Sequence, residues 1–319
     1  MSNLNKQSLV VSKIINESET VKTFKLSYPD LSPVPSVTAG AHLVCYLGNG
    51  LTRQYSLING EQQTDAYYIS VLKDADSRGG SAWMHENLKV GDSLLVSGPK
   101  NQFPLVIGAE RSILIGGGIG ITPLLSMAKT LFKQGSDFVL YYCARYQKDA
   151  AFVEHLKNCE FADKVQFYFS RDAGGRRMPI TDIVKTILPG QHLYCCGPNL
   201  LMDAVANATL HWPRGSVHFE KFKANQKIYE DKPFVLELSR SQKTFQVPAE
   251  QNALEVLHEN GYDIDMVCGE GICGACLVNV SAGEIEHRDE VLSDDEKAEN
   301  DIMTLCCSRA KSNKIVIEL

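Results

Sequence analysis

Three cysteines with a fixed spacing constrain this chain more than any other feature. Cys268, Cys273 and Cys276 are separated by four and two residues, and a cysteine pair, Cys306 and Cys307, follows about thirty residues later. Plant-type [2Fe–2S] clusters use this spacing, with three thiolates from one loop and a fourth from elsewhere in the fold. The glycines between these cysteines allow the unusual backbone dihedrals that a loop around inorganic sulfides needs. The spacing therefore predicts a carrier of single electrons.

The same cysteines allow two other interpretations. A structural zinc site usually pairs two short C-x₂-C arms, and this chain has one such arm, Cys273–Cys276. Alternatively, the thiols are buried structural side chains. Residues 1–7 lack the apolar segment of a secretory signal. We therefore expect a cytoplasmic protein whose ten cysteines are reduced thiols and metal ligands, with no disulfide framework.

Charge is distributed unevenly along the chain. Residues 233–319 contain 17 acidic and 7 basic side chains, whereas residues 1–232 contain 21 acidic and 25 basic ones. An acidic module on a mildly basic body argues against nucleic-acid binding and favours docking onto a basic face of a redox partner. Alternatively, the acidity serves only solubility. No apolar run approaches the ~20 residues of a membrane span, so we expect no membrane association.

Residues 1–105 are predicted to form an antiparallel β-barrel, because short β-branched and aromatic runs alternate with turn residues. One of these strands carries Arg53, Tyr55 and Ser56, and residues 77–81 then open a helix. An arginine and the amides of a helix N-terminus suit a phosphate, and the tyrosine and serine suit an isoalloxazine ring. Alternatively, the segments are a surface strand and an ordinary capped helix. The barrel is thus a candidate flavin domain.

Residues 106–224 consist of strands that alternate with helices, which predicts a doubly wound parallel sheet of the α/β class. A buried strand runs into the glycine-rich turn Gly116–Gly120 and then into a helix that starts near Thr122 and Pro123. Glycine lets the backbone approach a pyrophosphate closely. Ligands of such sheets bind at the carboxyl ends of the strands. Three further candidates stand at such ends: Arg145, Ser170 and Cys196, the last of which is more simply explained as a small buried residue.

The last predicted domain carries the cysteines. A polar segment, residues 225–232, is predicted to link it to the preceding domain. Residues 233–319 begin with a hairpin, continue with a helix from about Ala253 and with the cysteine loop, and end in a strand. A small sheet with one helix beneath a cluster loop predicts a β-grasp-like, plant-type ferredoxin of the α+β class.

These motifs in this order resemble one known family, the flavin- and ferredoxin-containing reductase components of Rieske oxygenases, of the phthalate dioxygenase reductase and vanillate demethylase reductase type. The resemblance covers essentially the whole chain, and a ferredoxin at the C-terminus is characteristic of this group. It implies FMN rather than FAD, a [2Fe–2S] cluster, and NADH, with NADPH as the alternative. It also implies a Rieske-type terminal oxygenase as partner and a protein that is monomeric alone.

The resemblance assigns roles to individual residues. The flavin site that it implies comprises Arg53, Tyr55, Ser56, Gly79, Gly80, Ser81 and, by analogy, Phe222. The NADH site that it implies comprises Gly116, Gly117, Gly118, Gly120, Thr122, Pro123, Arg145, Ser170, Asp172, Cys196, Gly197 and Pro198. The implied cluster ligands are Cys268, Cys273, Cys276 and Cys306, the last chosen over Cys307 because relatives have a cysteine, a variable residue and then Ser-Arg. Asp172 fits NADH, whereas the neighbouring Arg171, Arg176 and Arg177 fit the 2′-phosphate of NADPH.

The implied activity is electron transfer from NADH to an oxygenase. A flavin resolves a mismatch, because NADH gives up two electrons as hydride and a [2Fe–2S] cluster accepts one electron at a time. We expect hydride transfer beside Ser56, Thr122 and Cys196, with no side chain as general acid or base. Vanillate, another aromatic acid and a quaternary amine such as carnitine are all compatible substrates of the oxygenase. The alternatives are a reductase for a cytochrome P450 or di-iron oxygenase, a free-flavin or ferric reductase, and an electron carrier without turnover.

Overall fold

The computed structural model describes residues 6–75, 77–223 and 229–319. The chain divides into two compact units, one of which ends at Lys221, while the other comprises Phe222–Leu319. Of the predicted linker, residues 225–228 lie outside the described residues, and residues 229–232 belong to the second unit.

The first unit begins with six antiparallel strands and one helix. They are β1 (Lys6–Asn16), β2 (Val21–Ser27), β3 (Ala41–Tyr46), β4 (Thr52–Ser56), β5 (Tyr67–Leu72), α1 (Gly80–Asn87) and β6 (Ser93–Asn101). The strands form one sheet in the order β4-β3-β6-β1-β2-β5. Alternate residues of each strand face the interior, and the buried ones include Leu9, Phe24, Leu43 and Val96.

This sheet closes on itself. An antiparallel bridge between Leu57 and Ile69 connects the end of β4 to β5, which are the two edge strands of the sheet. Next to this bridge, the amide of Ile58 donates a hydrogen bond to the carbonyl of Tyr68 at 3.0 Å. Because both edges are joined, few backbone groups are left without a partner. The predicted antiparallel β-barrel is confirmed.

A parallel sheet follows the barrel in the same unit. Its strands are β7 (Arg111–Gly117), β8 (Asp137–Ala144), β9 (Val165–Phe169), β10 (Gln191–Cys196) and β11 (Val217–Glu220). The helices are α2 (Ile121–Lys133), α3 (Val153–Asn158), α4 (Ile180–Val184) and α5 (Asn199–Ala208). The strand order is β11-β10-β7-β8-β9. The chain first adds β8 and β9 on one side of β7 and then adds β10 and β11 on the other side, so the order of the strands switches between β7 and β10. Ligands bind at such a switch point.

Helices cover both faces of this sheet. On one face, α2 and α3 pack against Leu114 and Tyr142 together with the barrel residues Ile58 and Phe103. On the other face, α4 and α5 pack in a separate core around residues such as Ile113, Ile115, Leu193 and Trp212. Neighbouring residues of β7 therefore enter opposite cores, as the strand pleat requires. The predicted doubly wound sheet is confirmed.

The second unit is a small mixed sheet with two helices. Its elements are β12 (Phe234–Leu238), β13 (Thr244–Val247), α6 (Ala253–Glu259), β14 (Leu277–Ala282), β15 (Ile285–Glu286), α7 (Asp294–Glu299), β16 (Ile302–Thr304), β17 (Arg309–Ala310) and β18 (Lys314–Ile317). The main sheet has the order β13-β12-β18-β14-β16, and β15 pairs separately with β17. Helix α6 starts in a capping box formed by Asn252 and Glu255. The predicted β-grasp-like ferredoxin fold is confirmed.

Two arginines connect residues 229–232 to the rest of this unit. The guanidinium of Arg288 lies 4.4 Å from the ring centroid of Tyr229 and pairs with Asp231 and Glu286. Arg309 donates to the carbonyls of Lys232, Pro248 and Gln251. Residues 229–232 are therefore part of the ferredoxin fold. In the described part of the chain, the helices are all too short or too polar to cross a membrane.

Candidate cofactor sites

The predicted flavin-phosphate residues lie together at the N-terminus of α1. A Cβ atom added at Gly80 would lie 2.8 Å from both Cγ and Nε of Arg53, so a larger residue would displace the arginine from its place beside the first turn. Gly79, the residue before the helix, has a φ of 90°, which also favours glycine. Ser81 Oγ donates to Ser77 Oγ at 3.0 Å. A guanidinium beside helix N-terminal amides fits a phosphate by charge and by hydrogen bonding.

Tyr55 and Ser56 end β4 next to this cradle. Tyr55 pairs with Leu43 across the β3–β4 ladder, and burial raises the pKa of its phenol. Ser56 is buried, with 6% of its surface exposed. An aromatic face and a short hydroxyl at a barrel edge can hold a flat ring and accept or donate one hydrogen bond. Their roles toward a flavin stay predictions.

The two loops that are predicted to bind NADH meet at the switch point between β7 and β10. A Cβ atom added at Gly120 would lie 2.3 Å from the carbonyl oxygen of Cys196 and 2.7 Å from the amide nitrogen of Gly197. One added at Gly117 would lie 2.9 Å from Cδ of Pro198. Cβ atoms do not approach other groups so closely, so both positions require glycine. The paired loops leave backbone exposed at the carboxyl edge of the sheet, where a pyrophosphate can approach it.

The remaining residues of the first NADH loop shape the turn. Gly116 lies opposite Cys196 in the β7–β10 ladder, and Gly118 has a φ of +54° with open space beside its Cα. Thr122 is buried, and its hydroxyl donates to the carbonyl of Ile119 at 2.9 Å. Pro123 lies in the first turn of α2, where no backbone donor is needed. The Thr122 hydroxyl therefore holds the loop, and its role near a nicotinamide stays a prediction.

Arg145, Ser170 and Asp172 lie farther along the same edge. Arg145 directly follows β8 and Ser170 directly follows β9. The carboxylate of Asp172 accepts a hydrogen bond from the amide of Gln147 at 3.0 Å. The guanidinium of Arg176 lies 5.2 Å from the centroid of an aromatic ring on β9. The acidic and basic candidates for cofactor choice are thus both present at this edge, so the preference for NADH stays a prediction.

Glu220 is a candidate that the sequence did not indicate. It ends β11 opposite Cys196 in the β10–β11 ladder. Burial raises the pKa of Glu220 to about 8, and its Oε2 has no hydrogen-bond partner among the described residues. Burial and the Glu220 carboxyl together raise the pKa of the Cys196 thiol. Two groups that are neutral at pH 7 therefore lie side by side at the switch point.

The four predicted cluster ligands converge in the second unit. Hydrogen bonds from Cys273 and Cys306 lower the pKa of Cys268, and a hydrogen bond from Cys306 lowers the pKa of Cys276. The donating thiols have raised pKa values for the same reason. The loop glycines Gly269, Gly271 and Gly274 have φ values of 68°, 71° and 67°, as the unusual loop dihedrals require.

These contacts bring the four predicted ligands into one group. Cys268 contacts both Cys273 and Cys306, and Cys306 also contacts Cys276, so the four thiols form one continuous group. No group of three or more such ligands surrounds one ion anywhere in the described ranges. The Sγ atom of Cys307 lies 3.2 Å from the hydroxyl oxygen of Thr304. The choice of Cys306 over Cys307 as the fourth ligand stays a prediction.

Phe222 belongs to the second unit and not to the barrel. It is the first residue of that unit, and 38% of its surface is exposed. An exposed aromatic side chain fits a role in contacting a flat ring. Its predicted place beside a flavin stays a prediction.

Comparisons with known proteins agree with this geometry. A model described as the 2Fe-2S iron-sulfur cluster binding domain matches residues 236–311, and one described as the oxidoreductase NAD-binding domain matches residues 114–207. Vanillate O-demethylase oxidoreductase from a Pseudomonas strain is 41% identical over 98% of this chain and 99% of its own length. The solved structure of phthalate dioxygenase reductase is 39% identical, with a TM-score of 0.79 over 99% of this chain and 98% of its own. An intact type IV self-sufficient cytochrome P450 monooxygenase is 34% identical, with a TM-score of 0.86 over 98% of this chain and 41% of that chain.

Identity of about 40% extends over nearly the entire length of vanillate O-demethylase oxidoreductase and of phthalate dioxygenase reductase. The two domain models cover the candidate NADH site and the candidate cluster site. The chain therefore belongs to the family of oxygenase-system reductases that includes vanillate O-demethylase oxidoreductase and phthalate dioxygenase reductase, and it is an oxidoreductase with an NAD-binding and a [2Fe–2S]-binding domain.

Proposed function

We propose that this chain is the NADH-dependent reductase component of a Rieske-type oxygenase, with FMN and a [2Fe–2S] cluster, acting as a cytoplasmic monomer. The observation that carries the proposal is the group of four contacting thiols, Cys268, Cys273, Cys276 and Cys306, in a chain that also contains a dinucleotide crevice. A chain with both sites receives electrons in pairs and delivers them singly. The acidic charge of residues 233–319 supports docking onto a basic oxygenase surface.

The flavin-binding residues of this proposal are those of the β4–α1 cradle. Arg53 and the first amides of α1 hold the phosphate of FMN, and Gly80 gives the arginine room. Tyr55 packs against the ring, and Ser56 donates to its N5/O4 edge. When bound, a flavin accepts two electrons as hydride and releases them one at a time.

The crevice between β7 and β10 orients NADH in this proposal. Gly117 and Gly120 let the backbone of both loops reach the pyrophosphate. Cys196 and Glu220 line the crevice beside the reacting carbon as neutral groups, because burial raises the pKa of each. Their bulk excludes water without adding a charge. Orientation and water exclusion are therefore the work of these residues, and none needs to act as a general acid or base.

The experiment that tests the proposal follows electrons out of the protein. NADH-dependent reduction of cytochrome c is measured for the wild type and for Cys273→Ser, with iron and flavin contents determined for both. We expect Cys273→Ser to lose cluster iron and cytochrome c reduction but to keep NADH-dependent bleaching of its flavin. Cys159→Ser, which changes a half-buried thiol of the first unit, is the matched control and keeps all three properties. Full cytochrome c activity in Cys273→Ser would contradict a route through the cluster.

A second candidate function is supported by one observation. Nearly the whole chain is similar to part of a self-sufficient cytochrome P450 monooxygenase, so reductases of this build also occur with a P450. Affinity capture with the reduced holoprotein, followed by the optical spectrum of the captured oxygenase, separates the two functions. A Rieske-type spectrum supports the first candidate, and a haem Soret band supports the second.

A further inference from the structure

A fully buried carboxylate lies next to the cysteine loop. The side chain of Asp289 is 0% exposed. Its Oδ2 accepts a hydrogen bond from the amide of Leu292 at 3.1 Å, and its Oδ1 accepts from Nδ1 of His287 at 3.2 Å and from Oγ of Ser308 at 3.3 Å. The ammonium of Lys297 lies 3.9 Å from Oδ2. A buried charge needs donors of this kind, so the fold is arranged around this carboxylate.

Side-chain hydrogen bonds continue from Asp289 to the segment that carries the fourth cluster ligand. The hydroxyls of Ser308 and Thr304, both fully buried, lie 2.9 Å apart. The Thr304 hydroxyl in turn lies 3.2 Å from Sγ of Cys307, the neighbour of Cys306. Residues 304–308 are therefore held in place through the Asp289 carboxylate.

The backbone around Asp289 also contacts the loop that carries the other three ligands. The carbonyl oxygen of Gly271 accepts hydrogen bonds from the amides of Glu290 and Val291 at 3.0 and 3.1 Å. A Cβ atom added at Gly271 would lie 2.8 Å from Cα of Asp289 and 2.4 Å from Sγ of Cys307. The cysteine loop, the 289–291 turn and the 304–308 segment are thus in direct contact, with no space between them.

We propose that Asp289 is a positioning residue for the [2Fe–2S] cluster and that its charge lowers the reduction potential of that cluster. The proposal rests on the cluster ligands of the proposed function. Asp289 holds the 304–308 segment by hydrogen bonds and the Gly271 loop through its own backbone, so it fixes the ligands relative to one another. A buried negative charge next to the site disfavours the arrival of an electron. The ammonium of Lys297 lies 3.9 Å from Oδ2, which is too far for a hydrogen bond.

The test compares reduction potentials of the holoprotein. Asp289→Asn removes the charge and keeps the shape and one acceptor oxygen. We expect its cluster reduction equilibrium to shift at least tenfold toward the reduced form, which is about 59 mV for one electron. The readouts are the midpoint potential from an optical redox titration and the EPR spectrum of the reduced cluster. Asp294→Asn is the control, because it makes the same charge change at an exposed position on α7. Salt screens that position, and we expect less than a threefold shift.

A second variant separates position from charge. Ser308→Ala removes the link between the carboxylate and the 304–308 segment but leaves the charge in place. We expect an altered EPR spectrum with a potential shift smaller than that of Asp289→Asn. If Asp289→Asn assembles no cluster, the EPR spectrum of Ser308→Ala decides, and a spectrum identical to that of the wild type overturns the positioning role.

The outcomes separate this inference from the function on which it rests. A wild-type protein without cluster iron contradicts the proposed ligands, and the role of Asp289 falls with them. An Asp289→Asn protein with full iron content, whose potential matches that of Asp294→Asn, overturns the inference while the proposed function stands.

Discussion

The contact between the two loops of the NADH crevice can be tested by adding one methyl group. Gly120 has a φ of −63°, so alanine fits its backbone conformation. The new Cβ would lie 2.3 Å from the carbonyl oxygen of Cys196. Cβ atoms in protein structures essentially never approach another heavy atom closer than 3.0 Å, so the two loops must separate by about 0.7 Å. The obstacle is backbone of β10, which is held in the ladder opposite Gly116. Overpacking of this kind costs about 1–3 kcal/mol of folding stability.

The kinetic effect of Gly120→Ala follows from the same displacement. A misplacement of nearly 1 Å at a reacting site lowers rates by roughly 10- to 100-fold. We therefore expect the rate of flavin bleaching by NADH, measured anaerobically by stopped flow, to fall within that range, while the flavin content stays unchanged. Thermal unfolding of the same sample measures the loss of stability.

A matched control separates the clash from the general effect of replacing glycine. Gly135, at the end of α2, has a φ of +69° with open space around it, so Gly135→Ala adds only left-handed strain of about 1–2 kcal/mol. We expect this variant to bleach its flavin at the wild-type rate. If Gly120→Ala also reacts at the wild-type rate, the two loops do not position NADH, and the reasoning from their contact is refuted.

Three further predictions concern buried titratable groups and the cluster ligands. Burial lowers the pKa of Lys129 from 10.5 to about 8. Between these pH values only the unfolded chain binds the proton, so folding stability rises with pH. Urea unfolding at pH 8 and at pH 10 should show a rise in unfolding free energy of up to about 3 kcal/mol, and this rise should be absent from Lys129→Met. Burial raises the pKa of Glu220 to about 8, so the folded protein keeps the proton longer than the unfolded chain and stability falls as the pH rises from 4.5 to 8. Glu220→Gln should lack this decline, which amounts to up to about 5 kcal/mol in the wild type; parallel pH profiles for the two proteins would show that the carboxyl is hydrated. Cys306→Ser should lose the visible absorbance of the cluster whereas Cys307→Ser keeps it, and the reverse result would assign the fourth ligand to Cys307.

The folds were predictable from the sequence because each rests on a local pattern. Alternating strands and turns indicated the barrel, and strands that alternate with helices indicated the parallel sheet. The cysteine spacing indicated the cluster loop, since only a few folds bring three thiols out of one short loop. The glycines of the two NADH loops were recognised as turns, but their contact was not visible. It depends on β10 pairing with β7, which is a matter of strand order across the sheet.

The residues that the sequence did not indicate are the two buried acids. Glu220 and Asp289 look like ordinary surface carboxylates in the sequence, and neither belongs to a recognisable motif. Glu220 reaches Cys196 only because β11 adds to the edge of β10, and no donor meets its Oε2 among the described residues. Asp289 meets three donors, from residues 287, 292 and 308, which lie on both sides of it in the chain.

The surroundings of these two acids suit the opposite tasks of their sites. A carboxyl that burial leaves without donors holds its proton, and a neutral group beside the nicotinamide crevice does not oppose the approach of anionic NADH. A carboxylate that several donors satisfy can be kept as a charge next to a cluster, where it makes the stored electron easier to release. In these two proposals, a carboxyl side chain thus eases electron entry at one site and electron exit at the other. The difference lies in the number of donors, which only the tertiary structure sets. For this reason Asp289→Asn should change the potential of the cluster. Glu220→Gln replaces one neutral group by another, so it should leave the reaction with NADH unchanged at pH 7 and differ from the wild type only above about pH 8.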